Sequence, residues 1–173
     1  MFSNPQHNIA ELERGEGMIV ADLGSGSGHN TIELARRVGS GKVYAIDIQK
    51  ELLARVKNNA THGKLHNVEV IWADFDKLHG TGLADASVHR VLASNVLFQL
   101  ENKDAAISEI KRILKPDGKV YLIDWLDSFG NTGPHAKDIV TRVKAKELFT
   151  QSGFVFEKEF PAGAHHYGII FKR

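Results

Sequence analysis

The sequence predicts an α/β fold: a doubly wound, mostly parallel sheet with helices on both faces, closed by an antiparallel strand from a C-terminal hairpin. Three observations predict it. Val20-Ala21-Asp22-Leu23 reads as an apolar strand running straight into the glycine turn Gly24-Ser25-Gly26-Ser27-Gly28. A second apolar strand, Val43-Tyr44-Ala45-Ile46, ends on Asp47. Strand-like and helix-period segments then alternate up to Trp125, which implies parallel strands joined by right-handed crossovers.

Taken in order, Ile9 and Leu12 give a short helical face that stops at Gly15-Glu16-Gly17. Residues 1–17 are expected to form a short N-terminal helix or lid on a single domain, 1–173. The spacing predicts a helix over 31–38 with Ile32, Ala35 and Val38 inward, stopped by Gly39-Ser40-Gly41. A strand over 43–48 follows, then a helix over 50–60 with Leu52, Leu53, Val56 and Ala60 inward. Strands are expected over 68–72 and 88–93. The clearest helix spans 101–114, where Ile107, Ile110, Ile113 and Leu114 recur at helical spacing. Acids open that helix and Lys111, Arg112 and Lys115 close it, as the helix dipole favours. A strand over 119–125, a helix near 141–152, and strands over 154–160 and 167–171 complete the chain. The last two pair across Pro161-Ala162-Gly163-Ala164.

Composition narrows the function classes. The 173 residues fit one domain, and 42% hydrophobic with 25% charged residues is ordinary for a globular protein. A formal charge of +1 supplies no global attraction to nucleic acid or acidic membranes. With no cysteine, disulfides, thiolate catalysis and Cys-bound metal are excluded. The N-terminus is polar and lacks a signal-peptide core, so a cytoplasmic protein is expected. No apolar run approaches a membrane span.

The glycine turn suits a ligand because glycines accept positive φ and let the backbone approach closely. A dinucleotide fingerprint, G-x-G-x-x-G, would put its third glycine at position 29. Here that position is His29, and the third glycine is Gly28. The resulting G-x-G-x-G after an acid resembles motif I of the class I S-adenosylmethionine (SAM) methyltransferases, a Rossmann-like family. The resemblance is to small single-domain members of the ubiquinone/menaquinone type. It implies that SAM is the cofactor, S-adenosylhomocysteine (SAH) the product, and that the motif I residues Asp22, Gly24, Ser25, Gly26 and Gly28 hold the cofactor. Asp47, with Ile48 beside it, matches the acid that binds the ribose hydroxyls. Ile71-Trp72-Ala73-Asp74-Phe75 matches the segment at the adenine, giving that role to Asp74 and the Phe75 backbone. Asp76, two residues on, could substitute. Ser94 and Asn95 follow the fourth strand, beside the transferred methyl in this family, although either could simply cap a helix. Asn95 is followed by Val96-Leu97 and not Pro-Pro-Tyr, which argues against methylation of base or glutamine amide nitrogens. Arg112-Ile113-Leu114-Lys115-Pro116-Asp117-Gly118 resembles the family's turn into the fifth strand. His89 stands where an aspartate is common. The lack of cysteine argues against likeness to thiol-dependent members such as arsenite methyltransferases.

Methyl transfer from a sulfonium needs contact and orientation more than a fixed triad. The candidate catalytic residues are therefore few. Asp124 ends the fifth strand, where an acid is unexpected for packing. His165 and His166 sit in the hairpin loop, where a base or acceptor ligand could stand. The bland reading makes them hairpin residues with one exposed. No metal site is expected, because adjacent strand residues point to opposite faces. The expected acceptor is a small molecule, with the chain a monomer or homodimer. Alternatives are a catalytically silent SAM-binding partner or sensor, an NAD-dependent oxidoreductase, and a nucleic-acid or protein methyltransferase. Basic clustering is confined to Arg142, Lys144 and Lys146, a run more often a solvated face.

Overall fold

The computed structural model describes residues 9–12, 15–128 and 133–173. In chain order the elements are β1 (Ile19–Leu23), α1 (His29–Val38), β2 (Lys42–Asp47), α2 (Lys50–His62), β3 (Val68–Trp72), β4 (Val88–Ser94), α3 (Lys103–Ile113), β5 (Leu114–Trp125), α4 (Arg142–Gln151), β6 (Val155–Pro161) and β7 (His166–Lys172). The strands form one sheet in the order β3-β2-β1-β4-β5-β7-β6. β1 to β5 pair in parallel, and β7 runs antiparallel to both β5 and β6. Strand order reverses between β1 and β4, and crevices at such a switch point are where open α/β sheets bind ligands.

Both faces of the sheet are covered, so its strands read as near-continuous apolar runs. On one face Val20, Leu92 and Ile170 pack with Leu34, Ala35 and Val38 of α1. On the other, Val91, Leu122 and Phe171 pack with Ile107 and Ile110 of α3 and Phe149 of α4. Each buried aliphatic side chain contributes about 1.5–3 kcal/mol. Ile9 and Leu12 are buried in the α1-side layer, so this segment closes the core. Residues 1–8, 13–14 and 129–132 lie outside the described residues, and with them most of the segment 1–17 expected to form a short helix or lid.

Several boundaries differ from expectation for physical reasons. The helix expected over 101–114 starts at Lys103 because Asn102 caps it, its Oδ1 accepting from Ala105 N at 3.0 Å. Asp76 takes the two preceding amides, Glu101 N at 2.7 Å and Asn102 N at 3.0 Å. β5 begins at Leu114, which pairs with Val88 before an irregularity in the ladder. In α1 the buried face is Thr31, Leu34, Ala35 and Val38, leaving Ile32 half-buried. His89 serves the sheet itself, its Nδ1 accepting from Ile19 N at 2.9 Å and so tying β4 to the start of β1.

Glu109 of α3 is fully buried, a role its place on an amphipathic helix does not announce. It accepts from His79 N at 2.7 Å, from the Thr81 hydroxyl at 2.5 Å and from Arg112 Nε at 2.8 Å. Arg112 also reaches Asp85. The loop between β3 and β4 is thereby clipped to α3.

Candidate active site

A cavity of about 340 Å³ opens where the carboxyl ends of β1, β2, β3 and β4 converge. Its size falls in the range of small-molecule sites. Gly24, Gly26, Asp47, Ile48, Asp74, Phe75, Ser94 and Asn95 all line it, so the structure brings together eight residues singled out from the sequence. Ser25 and Gly28 belong to the loop after β1 and Asp22 to the end of β1 itself, and none of the three lines the cavity.

The loop after β1 is shaped by two glycines. Gly24, at φ +67°, lies so close to the segment after β4 that any side chain would collide with Val96. Gly26, at φ +54°, has nothing within 4 Å of where a Cβ would stand, leaving space above its backbone. Gly24 N and Ser25 N both donate to Ile46 O, at 2.8 and 3.1 Å, which locks the loop onto the end of β2. Asp47 completes the cradle. Its Oδ2 accepts from Gly26 N and its Oδ1 from Gln49 N, each at 2.9 Å. An ionised carboxylate has about four acceptor sites, so both oxygens keep capacity for hydroxyl donors. Asp22 serves the same loop from behind, with the Thr31 hydroxyl donating to it at 2.6 Å. Burial pushes the Asp22 carboxyl up to about 7, against the pull of that hydrogen bond and with help from nearby Asp47.

Across the cavity, Asn95 holds left-handed backbone at φ +59°. Its N–H donates to Ile123 O at 2.8 Å and its carbonyl accepts from Gln99 Nε2 at 2.7 Å. Its Oδ1 is buried and, among the described residues, has no hydrogen-bond partner. The Ser25 hydroxyl is in the same condition. Such orphaned groups cost about 1–3 kcal/mol each unless something fills them. At the β3 side of the cavity, Asp74 and Asp76 are separated by their partners. Asp76 is committed to the backbone before α3, whereas Asp74 is half-exposed and pairs with Lys77 at 2.8 Å. That ammonium holds the Asp74 carboxyl below its ordinary value. Ile48 is fixed at the rim, its carbonyl accepting from Trp72 Nε1 at 2.9 Å while the Lys50 ammonium lies 3.7 Å from the centroid of that indole.

A lining that combines polar Asp47, Asp74 and Asn95 with apolar Leu52, Val96 and Leu100 fits a nucleoside. Leu52, Val96, Gln99 and Leu100 were not assigned to the site from the sequence. Leu52 shares the helical spacing of core residues, and the other three enter through the fold of the segment after β4.

The three candidate catalytic residues are not in this cavity. Asp124 is buried and accepts from Leu97 N at 2.9 Å and Trp125 N at 2.8 Å, so it holds the 95–99 segment in place from below. Burial pushes its carboxyl up to about 6. His165 pairs with Asp127, Nδ1 to Oδ1 at 2.8 Å. His166 is buried against Trp125, ring centroids 4.2 Å apart, and lines a different cavity. Among the described residues, no cluster of three or more acids and histidines could hold a metal ion, and no helix is long and apolar enough to cross a membrane.

Fold and site together define a methyltransferase-type domain, and the comparison with known families agrees. Residues 14–156 match the family model described as a methyltransferase domain, and the chain belongs to that family. Among its relatives is the arsenite methyltransferase of Aquipseudomonas alcaligenes, 34% identical over 114 residues, covering 63% of this chain and 33% of that protein. The ubiquinone/menaquinone biosynthesis C-methyltransferase of Bordetella avium is 32% identical over 110 residues, covering 63% and 41%. The chain thus spans about a third to two-fifths of the length of these two relatives. The crystal structure of a SAM-dependent methyltransferase from Aquifex aeolicus superposes with a TM-score of 0.88 at 26% identity, covering 99% of this chain and 90% of that one. One expectation is corrected: lack of cysteine does not set the chain apart in sequence from arsenite methyltransferases.

Proposed function

We propose that this chain is a SAM-dependent methyltransferase acting on a small-molecule acceptor. The observation that carries the reading is the cavity at the switch point, where Gly26, Asp47, Asp74 and the orphaned Asn95 Oδ1 converge in a chain of the methyltransferase-domain family. Asp47 would take the ribose hydroxyls, and Asp74 with the Phe75 backbone the adenine. Ile48 would cover the cofactor's edge. Ser25, Gly24, Gly26 and Gly28, braced by Asp22, would present the loop backbone. When bound, SAM supplies an electrophilic methyl on a sulfonium that departs as a neutral thioether.

The chain's own residues do the positioning. Gly24 lets the segment after β4 close on the loop after β1, and Asp124 fixes that segment through Leu97 N. Asn95 and Ser94 then stand where cofactor and acceptor meet. Holding reactants in contact is the larger part of such catalysis. Each cation of the basic run on α4 has a carboxylate partner, Arg142 and Lys146 sharing Glu159 and Lys144 on Glu147, which favours a small acceptor over nucleic acid. Thiolate-bound arsenic is no acceptor for its own residues, since it has no cysteine. The test is SAH release from SAM with a panel of small acceptors. Acceptor-dependent SAH supports the reading, and cofactor binding without turnover on any acceptor would turn it towards a silent module.

A further inference from the structure

Trp72 closes β3, an edge strand of the sheet, and is 62% exposed. An indole so open to water adds little to the core. Both of its polar features are nevertheless engaged. Its Nε1–H donates to Ile48 O at 2.9 Å, and the Lys50 ammonium lies 3.7 Å from the ring centroid. A cation at that distance is attracted by the ring face. The side chain is thus held by residues 48 and 50, across the turn from β2 into α2.

The bond to Ile48 O reaches the cofactor cavity through one peptide group. The Ile48 carbonyl and the Gln49 N–H belong to the same trans peptide, so they are coplanar and point in opposite directions. With the carbonyl held by the indole, the N–H at the other end donates to Asp47 Oδ1 at 2.9 Å. Asp47 Oδ2 accepts from Gly26 N at 2.9 Å, and Asp47 O accepts from Ala73 N at 3.1 Å. The carboxylate is therefore oriented from one side by the glycine loop and from the other by the 48–49 peptide. The start of α2 does not fix that peptide, because the Gln49 side chain makes no capping bond. Rotated, the same peptide would turn a carbonyl oxygen towards the carboxylate and remove one of its two amide donors.

We propose that Trp72 is a positioning residue of the cofactor site, setting the Asp47 carboxylate for the ribose through the 48–49 peptide. The indole touches neither reactant, and Lys50 keeps its ring in the plane that this bond requires. The inference rests on the proposed role of Asp47 at the ribose hydroxyls.

The experiment is a double-mutant cycle read by calorimetric titration with SAH: wild type, Trp72→Phe, Asp47→Asn and the double variant. Trp72→Phe keeps an aromatic face for Lys50 and removes only the N–H donor. Its SAH affinity should fall about fivefold, the equivalent of one hydrogen bond, with the melting temperature unchanged because the site is exposed. In the Asp47→Asn background the same substitution should change affinity by less than about twofold, since residues that act through one another are not additive. A role in stability alone would leave ligand affinity unmoved. An amide spectrum of ligand-free Trp72→Phe should also show the Gln49 and Gly26 protons displaced, as the two donors to Asp47. Weakening by Asp47→Asn beside wild-type affinity in Trp72→Phe would overturn this inference alone. So would a Trp72→Phe loss that persists undiminished without the Asp47 carboxylate, or Gln49 and Gly26 protons that do not move. No SAH binding by the wild type, or equal binding by Asp47→Asn, would overturn both this inference and the reading beneath it.

Discussion

Asn95 combines a left-handed backbone with a buried acceptor that no described residue satisfies. Glycine tolerates that backbone better than any other residue. Asn95→Gly is therefore expected to change stability by no more than about 1 kcal/mol. Turnover should nevertheless fall about tenfold or more, the equivalent of one lost hydrogen bond. Thermal unfolding beside SAH release checks both halves, and undiminished turnover would remove Asn95 from the site. Asp22 gives a pH signature. Its folded-state carboxyl is raised to about 7, so the folded form keeps a proton that the unfolded chain releases from about pH 4 upwards. Stability from this group is full below about pH 4 and is lost as pH rises to about 7, and Asp124 adds in the same sense. Asp22→Asn can still accept from Thr31, and its melting temperature should fall less between pH 4.5 and 8. Parallel profiles for the two proteins would contradict this. At this scale the loop and Asp47 were legible because the demand for glycine at positive φ is local. The part played by Asp124 was not, because its partner Leu97 arrives from the segment after another strand.

The clip between α3 and the loop after β3 is the clearest device made by whole elements. Glu109 is pushed up by burial, but Arg112, Thr81 and two backbone amides outweigh that and hold it at about 2. Its contribution is thus present above the ordinary glutamate range and is lost only as pH falls towards about 2. Glu109→Gln leaves Arg112 with Asp85 as its one carboxylate partner and should cost about 3–5 kcal/mol, read from urea unfolding. A loss below about 1 kcal/mol would show a merely exposed pair. Sequence periodicity located α3 but could not show this, since Glu109 sits among lysine and arginine as a solvated acid would. The partners lie 28 and 30 residues away, at Thr81 and His79. Ile107, Ile110 and Ile113 were legible because burial follows helical spacing alone.

For the whole molecule, the alternation of apolar strands with helices foretold the sheet, and the terminal hairpin foretold its antiparallel strand. Topology then did what no motif could. It reversed strand order between β1 and β4 and gathered four loops around one cavity. It also parted His166 from that cavity by two strands, so its adjacency to His165 in sequence is no guide to its surroundings. The central claim is that the cavity at the switch point holds SAM through Asp47. Calorimetric titration of the chain with SAM and SAH, beside Asp47→Asn, tests it most directly. Both ligands should bind the wild type and weaken by about 10- to 100-fold in the variant, as loss of charge-assisted hydrogen bonds implies. Failure of both ligands to bind the folded wild type, or equal binding by the variant, would contradict it.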